Sequence, residues 1–336
     1  MKTRPPDRKE PAEPFIDREI SVIFQGDWGQ ANLHRVCGWL CQEIGDRSAP
    51  GSRFGIWSGR GGADAVHNVL AQDADAALLT PAAAAAGIAA GVGPLAVRGA
   101  DQLRALGAVP QRDRLVACVD KALGASTMSD LAAMLPSLRI ATSPDDGVNL
   151  IGAAAHRLLT AVRVTPDRLG AAAAVIYAER PFPAIDAFRD GRANVLIQEA
   201  IMTPSWQRVA EHKDVVYLDA DPAVVEAFAQ WCWPTAVVPS GYLPGLEHDL
   251  TTPEYSDFLL VCRADLPDDI AFMIAWCLVA TREALESQYR HLPSDRSPVT
   301  YPLDPTAIAT TPIPLHPAAA AAYAAFGDGL VLTRAC

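Results

Sequence analysis

The first part of the chain alternates between short apolar runs and stretches with apolar side chains at helical spacing. The run ISVIFQ (20–25) is β-branched and aromatic, and the following ANLHRVCGWLCQEIGD has helical periodicity. Further strands are predicted at 52–58 and 73–81, each followed by a helix, and two short strands within 103–120. Because parallel strands are joined by crossover helices, this alternation predicts an α/β structure.

The same alternation restarts after residue 120. Strands are predicted at 138–143, 173–178 and 193–200, separated by helices, and a later strand at 259–267 leads into an apolar helix at 268–289. We therefore predict two lobes, each a mostly parallel sheet flanked by helices. A ligand cleft is expected where the strand ends of both lobes face each other.

The chain is long enough for two such lobes, because its 336 residues exceed the usual size of one domain. Residues 1–19 are predicted to be an extended or disordered N-terminal segment. Lobe one is predicted to comprise 20–117 together with 241–336, and lobe two 118–240. The chain would then cross between the lobes near 118 and again near 240.

Composition narrows the classes of partner. The net charge of −11 comes without a basic stripe, which argues against nucleic acid, and no run of about 18 apolar residues exists, which argues against membrane insertion. The N-terminus lacks the apolar core of a signal peptide, so a cytoplasmic location is expected, or a periplasmic one if a leader has been removed. Seven cysteines in mostly apolar patterns suit reduced thiols, and only Cys37 and Cys41 lie close together, so no metal site is predicted.

Five segments of the chain resemble, in the same order, the TAXI-type solute-binding proteins of TRAP transporters. They are WSGRGGADAVHNVLAQDADAALLTP, AFRDGRANVLIQEA, VVPSGYLPG, FLLVCRADLPDD and PIPLHPAAAAAYAAFG. The resemblance covers residues 20–330 and implies the type II periplasmic-binding-protein fold, with the tail packed back onto the first lobe. It also implies a small organic acid as ligand, and TRAP membrane subunits as partners if the protein is exported.

Loops that follow strands can bind anions through the backbone N–H groups of the next helix, and glycines let a ligand approach closely. Arg60 is the cation in these loops, and its planar fork suits a carboxylate, although a solvated turn arginine is the alternative. Tryptophans could wall the pocket, with core packing as the alternative for Trp233. The predicted ligand-binding residues are Gly26, Asp27, Trp28, Gln30, Ser58, Arg60, Gly61, Thr80, Ser143, Asp145, Asp146, Glu199, Trp231 and Trp233.

Proton transfer, if the protein is an enzyme, is assigned to Asp27, His34 and Glu199, which lie near predicted strand ends. A packing role on the first helix is the alternative for His34, and a capping or surface role is the alternative for Glu199. GRGGAD has neither the dinucleotide-binding spacing nor a Walker lysine, so no cofactor is predicted.

Three functions remain open at the level of sequence. The leading hypothesis is a TAXI-like solute-binding protein that holds a small organic anion in the cleft and closes by hinge motion. The first alternative is a cytosolic, cofactor-independent enzyme on the same fold, of decarboxylase, lyase or isomerase type, acting on a carboxylic acid as the 4,5-dihydroxyphthalate decarboxylase type does. The second alternative is a cytosolic ligand sensor.

Overall fold

The computed structural model describes residues 11–27, 32–60, 62–95, 97–169, 174–200, 204–294, 297–327 and 332–333. The strands, in chain order, are β1 (Ser21–Asp27), β2 (Arg53–Gly59), β3 (Ala76–Leu79), β4 (Leu103–Val109), β5 (Leu115–Asp120), β6 (Arg139–Thr142), β7 (Ala174–Tyr177), β8 (Val195–Glu199), β9 (Val215–Tyr217), β10 (Thr235–Val238), β11 (Leu250–Pro253), β12 (Phe258–Arg263), β13 (Thr310–Thr311) and β14 (Leu332–Thr333).

The α-helices are α1 (Asn32–Gly45), α2 (Ala63–Leu70), α3 (Ala84–Ala90), α4 (Leu150–Ala161), α5 (Pro166–Leu169), α6 (Pro181–Arg189), α7 (Pro204–His212), α8 (Pro222–Ala229), α9 (Asp268–Ala280), α10 (Arg282–Ser287), α11 (Pro305–Ala309) and α12 (Pro317–Phe326). Short 3-10 helices lie at Ala100–Gln102, Lys121–Leu123, Ser129–Ala133 and Leu135–Ser137. In the described part of the chain, no helix combines the length and apolar character needed to cross a bilayer.

Two five-stranded sheets form the framework, which confirms the predicted α/β fold with two helix-flanked sheets. The first has the order β2-β1-β3-β12-β4, and the second has the order β7-β6-β8-β5-β9. Both are mixed, because β12 runs antiparallel to β3 and β4, and β5 runs antiparallel to β8 and β9. These reversed strands are the first strands after the chain passes from one sheet to the other. We call the first sheet with its helices lobe one, and the second with its helices lobe two.

The central strands are apolar because helices cover the sheets on both faces, whereas the edge strands β2 and β7 are partly exposed. All four residues of β3 and the first five of β5 are buried. Such strands read as continuous hydrophobic runs rather than alternating ones. The buried strands of the two lobes therefore give the same signal in the sequence, a continuous hydrophobic run. Their position in each sheet is set by tertiary pairing.

The chain crosses between the sheets twice, from β4 to β5 and from β11 to β12, and the two crossing segments are bonded together. The backbone N–H of Gln111 donates to Asp257 Oδ1 at 3.1 Å, and Gln111 Nε2 donates to the carbonyl of Tyr255 at 3.3 Å. Thr252 Oγ1 donates to the carbonyl of Leu115. We refer to these paired crossings, 110–114 and 254–257, as the hinge segments; the lobe boundaries 20–117 with 241–336 and 118–240 stay a prediction.

The proline-flanked tail packs onto β4, the edge strand of lobe one. The backbone N–H of His316 donates to the carbonyl of Ala105, and the His316 ring accepts from the backbone N–H of Ala318 at the start of α12. From α12, Tyr323 Oη donates to the carbonyl of Leu106 at 2.6 Å. Gly107 makes this approach possible, since an added Cβ would lie 2.2 Å from Tyr323 Oη.

Two local predictions need correction. The helix expected over 268–289 is divided at Thr281, whose Oγ1 donates to the carbonyl of Cys277. Backbone competition of this kind is typical of threonine near a helix end. Reduced cysteines are found at five positions, whereas Cys232 is disulfide-bonded.

Candidate functional site

The carboxyl ends of β1, β2 and β3 face the carboxyl ends of β6 and β7 across the gap between the lobes. The backbone N–H of Ala63, at the start of α2, donates to the carbonyl of Val148 at 3.0 Å. Gly62 has a positive φ of 55°, and an added Cβ would lie 2.6 Å from that same carbonyl oxygen. The loop after β2 is therefore in direct contact with the loop after β6.

Arg60 bridges the two lobes at this point of contact. Its Nη2 lies 2.6 Å from Asp146 Oδ2, and its Nε lies 2.8 Å from Glu179 Oε1. Its own backbone N–H donates to Asp64 Oδ2 at 2.9 Å, which holds the loop against α2. The side chain is about half exposed, at 49%. Arg60 is thus a paired residue at the rim of the cleft, and not a free turn arginine.

The charges of this bridge affect one another. The hydrogen bonds that Arg60 donates to Glu179 first, and then to Asp146, raise the pKa of Arg60. Partial burial alone would raise the pKa of Asp146. Hydrogen bonds from the backbone N–H groups of Asn149 and Val148, together with Arg60, outweigh this effect of burial, so the pKa of Asp146 is lowered. Both shifts favour the charged forms of Arg60 and Asp146.

His34 and Ser58 meet at the ends of β1 and β2. The Nε2 atom of His34 lies 3.3 Å from Ser58 Oγ, while its Nδ1 atom is buried without a hydrogen-bond partner. Gly26 leaves room for the ring, since an added Cβ would lie 2.6 Å from Nδ1. The structure therefore brings together Gly26, His34 and Ser58. Asp27 is the last residue of β1.

Several buried polar atoms at the strand ends have no hydrogen-bond partner in the described structure. They include Gln25 Nε2 near the end of β1, Thr80 Oγ1 directly after β3, and Thr142 Oγ1 at the end of β6. The Oε1 atom of Gln25 accepts from Asn68 Nδ2 at 2.7 Å, which fixes the orientation of its amide. Because buried polar groups are normally paired, these atoms are unusual. Gln25 and Thr142 were missed by the sequence analysis; their only signal is a polar side chain at the end of an apolar strand.

In lobe two, the loop after β6 is built around Asn149, the N-cap of α4. Its side chain accepts from the backbone N–H groups of Ile151 and Gly152 and donates to the carbonyl of Glu179 at 3.1 Å. The loops after β6 and β7 are thereby joined. Of the predicted residues nearby, Ser143 lies 3.1 Å from Gln198 Nε2 through its Oγ, and Asp145 lies 3.4 Å from the ring of His156.

Glu199 lies at the hinge side of the cleft, where its carboxyl group is hydrogen-bonded to that of Asp113. Burial raises the pKa of Asp113 to about 7, and burial followed by repulsion from Asp113 raises the pKa of Glu199 well above its usual value. The backbone N–H of Arg114 donates to Asp113 Oδ1 at 2.7 Å. Both shifts favour the protonated forms of this pair of carboxyl groups. The sequence analysis found Glu199 and missed Asp113.

The two described tryptophans of the predicted pocket wall belong to an aromatic cluster. Trp233 is fully buried, stacks on Tyr255 with ring centroids 6.2 Å apart, and meets Phe228 edge to face. Trp231 lies beneath the guanidinium of Arg157. Trp233 has no surface to offer a ligand in this conformation, so it acts as a core residue here. Trp28, Gln30 and Gly61 lie outside the described residues.

A cavity of about 520 Å³ lies beside the hinge segments, at the ends of β3 and β4. Small residues such as Ala82 and Ala108 form part of its wall, and its polar side chains include Glu254 and Asp257. None of the predicted site residues that the structure describes lines it. Within the described ranges, no group of three or more His, Cys, Asp or Glu side chains is arranged to hold a metal ion.

These features define a class: a two-lobed α/β protein with the fold of periplasmic binding proteins and a cleft between the lobes. Residues 40–327 match the model of the NMT1-like family, which is most of the chain, so the protein belongs to the NMT1-like family. No curated protein matches the sequence.

Similar solved structures include one described as a periplasmic transporter, with a TM-score of 0.50 and 10% identity, covering 84% of this chain and 88% of that chain. Another is MatC (Rpa3494) from Rhodopseudomonas palustris with bound malate, with a TM-score of 0.49 and 15% identity, covering 84% of this chain and 91% of that chain. At such identities the likeness concerns the fold alone.

Proposed function

We propose that this protein binds a small organic carboxylate reversibly in the cleft between its lobes. The observation that carries the proposal is the environment of Arg60. Its guanidinium is half exposed at the cleft rim and holds carboxylate oxygens of two other residues at 2.6 and 2.8 Å. A ligand carboxylate could occupy the same N–H donors with the same geometry, because planar forks bind carboxylates favourably.

Polar groups at the strand ends that face the cleft support this proposal. Loops at the carboxyl ends of parallel strands direct backbone N–H groups toward a ligand, and α2 and α4 both begin at this edge. The unpartnered Thr80 and Thr142 hydroxyls and the His34 ring lie at the same strand ends. A small polar solute that hydrogen-bonds to them would remove the cost of leaving buried polar atoms unpaired.

Three finer features remain predictions of the sequence: the TAXI subfamily, TRAP membrane subunits as partners, and a cytoplasmic location. Cell fractionation of the native host, combined with co-purification from solubilised membranes, tests the last two. A ligand-sensor role would use the same binding residues.

A second candidate function is a cofactor-independent enzyme acting on a carboxylic acid, and the Asp113–Glu199 pair favours it. A carboxyl group that keeps its proton at neutral pH can act as a general acid. In this version Arg60 holds the substrate carboxylate, and Glu199, His34 or Asp27 transfers the proton. Product analysis of each acid that binds tests it: turnover that survives Glu199→Gln, His34→Ala and Asp27→Asn rules out these roles.

Binding itself is tested by calorimetric titration with a panel of small organic acids. Arg60→Ala should weaken binding of each ligand about ten- to hundredfold, the loss expected for a charge-assisted hydrogen bond. The matched control is Arg263→Ala. Like Arg60, Arg263 is exposed and paired with a carboxylate, that of Asp265, at 2.8 Å. Arg263 is the last residue of β12, which runs antiparallel to β3, so it lies at the opposite edge of the sheet from the cleft. Equal affinities in the two variants would remove Arg60 from the binding site.

A further inference from the structure

The bridge at Arg60 joins parts of the chain that are far apart in sequence and belong to different sheets. Arg60 follows β2 in lobe one, whereas Asp146 follows β6 and Glu179 follows β7 in lobe two. Both β2 and β7 are edge strands. The bridge therefore closes the side of the cleft that is opposite the hinge segments, where a separation of the lobes would be greatest.

The bridge carries one positive and two negative charges. A carboxylate that approaches Arg60 thus meets a local excess of negative charge, and it gains no net attraction unless one of the protein's own carboxylates moves away. The guanidinium atoms Nε and Nη2, which would form a bidentate contact with a ligand, are each taken by a different residue.

The two carboxylates are held in different ways. Asp146 Oδ1 also accepts from the backbone N–H groups of Val148 and Asn149 at 3.0 Å, so Asp146 is part of the loop that begins α4. Glu179 contacts Arg60 through a side chain that is 55% exposed, and within the described residues its carboxylate has no further hydrogen bond. Glu179 is the partner that can move away without disturbing the loop.

We propose that Glu179 is an internal competitor for the ligand: it closes the rim of the empty cleft by occupying Arg60, and it gives way to the carboxylate that binds there. The competition rests on the proposed function, whereas the closure of the empty cleft does not. Since closure lowers the fraction of molecules that can admit a ligand, Glu179 weakens the apparent affinity. Loss of Glu179 should accordingly open the cleft and tighten binding.

The backbone N–H of Ala63 reports on closure without any ligand. As the first residue of α2 it has no acceptor within its own helix, and its partner is the carbonyl of Val148 in lobe two. Its hydrogen exchange is slow only while the lobes touch. In Glu179→Gln, which keeps the shape of the side chain and removes its charge, exchange at Ala63 should be about tenfold faster than in the wild type.

The control variant is Asp265→Asn, which removes a carboxylate from the exposed pair with Arg263 and should leave Ala63 exchange unchanged. About 1 M NaCl should accelerate exchange at Ala63 in the wild type and have little effect in Glu179→Gln, because the Debye length falls to about 3 Å. Calorimetry with the organic acids should give a dissociation constant about three- to tenfold lower for Glu179→Gln than for the wild type.

Unchanged exchange at Ala63 together with unchanged or weaker binding in Glu179→Gln would overturn the inference. Faster exchange at Ala63 without tighter binding would mean that Glu179 closes the empty cleft but does not compete with the ligand for Arg60. If no carboxylate binds either protein, the proposed function and the competition both fail, and the exchange measurement still decides whether Glu179 closes the empty cleft.

Discussion

Two clusters of charged side chains lie on opposite sides of the cleft and differ in their contact with solvent. At the rim, Arg60 holds Glu179 and Asp146, and the side chains are 49%, 55% and 28% exposed. At the hinge, Asp113 is 4% exposed and is hydrogen-bonded to Glu199. Carboxyl groups occur in both clusters, but at the rim they are paired with a cation, whereas at the hinge they are paired with each other and their pKa values are raised.

The difference indicates separate tasks. An exposed ion pair contributes little to stability and is screened by salt, so it can break and re-form as the lobes move. A buried carboxyl pair is costly to disturb, because losing one partner leaves backbone donors and the other carboxyl unpaired in a poorly solvated place. We therefore expect Asp113 and Glu199 to stabilise the connection between the lobes, and the ion pairs of Arg60 to control the separation of the lobes as proposed above.

The largest expected effect is at the hinge. Asp113→Ala removes the acceptor of the Arg114 N–H group and the partner of Glu199, so it should lower the free energy of unfolding by about 2–4 kcal/mol at about pH 4, where this pair stabilises the folded state most. Urea denaturation measures it, with Asp265→Ala as the exposed control. Equal losses in the two variants would mean that the hinge pair is no more important to stability than a surface ion pair.

A smaller effect should appear in the dependence of stability on pH. The folded-state pKa of Asp113, about 7, is above the value of an unfolded aspartate. The stabilisation from this pair is therefore complete below about pH 4 and is lost as the pH rises through about 7. The wild type should lose stability between about pH 4 and 7 relative to Glu199→Gln, by on the order of 1–2 kcal/mol.

Groups that titrate in both the wild type and Glu199→Gln contribute equally to the two curves of stability against pH, so they do not affect the difference between the curves. Asp130, with a pKa lowered to about 2 by hydrogen bonds from the backbone N–H groups of Ser126 and Thr127, affects stability only at more acidic pH. If the stability curves of the wild type and Glu199→Gln run parallel between about pH 4 and 7, the two carboxyl groups do not affect each other's titration.

The smallest expected effect is at the rim. Arg60→Ala should change the melting temperature by less than about 1 °C, because an exposed, salt-screened bridge contributes little to the folded state. Differential scanning calorimetry at low salt measures this. If Arg60→Ala lost as much stability as Asp113→Ala, the two clusters would not differ in their contribution to stability, and the rim ion pairs would have a structural role.

The sequence predicted most elements of this fold because its local signals agree with the tertiary structure. Apolar runs bounded by glycine, proline or aspartate became buried strands, as in β3 and β5, and helical spacing became α1 and α9. The pattern could not reveal that β5 and β12 run antiparallel to their neighbours. Strand direction depends on where the chain re-enters a sheet, and a buried strand has the same composition in either direction.

The candidate site was predictable only in part. Arg60 was identified as a cation in a glycine-rich loop, but its partners Asp146 and Glu179 are 86 and 119 residues away. Glu199 was identified at a strand end, while Asp113 looks like an ordinary turn residue until β5 pairs with β8. Trp233 resembled a pocket wall in the sequence and is buried against Tyr255.

The sequence by itself determined the α/β class, the order of strands and helices, and the presence of polar residues where strands end, because hydrophobic periodicity and turn chemistry act over a few residues. Tertiary structure alone decided which of those polar residues meet, which carboxyl groups are ionised, and which tryptophan is buried. Those properties depend on the distances between segments that are remote in the chain and on how far solvent reaches them. A shifted pKa or an ion pair therefore exists only after folding has brought the groups together.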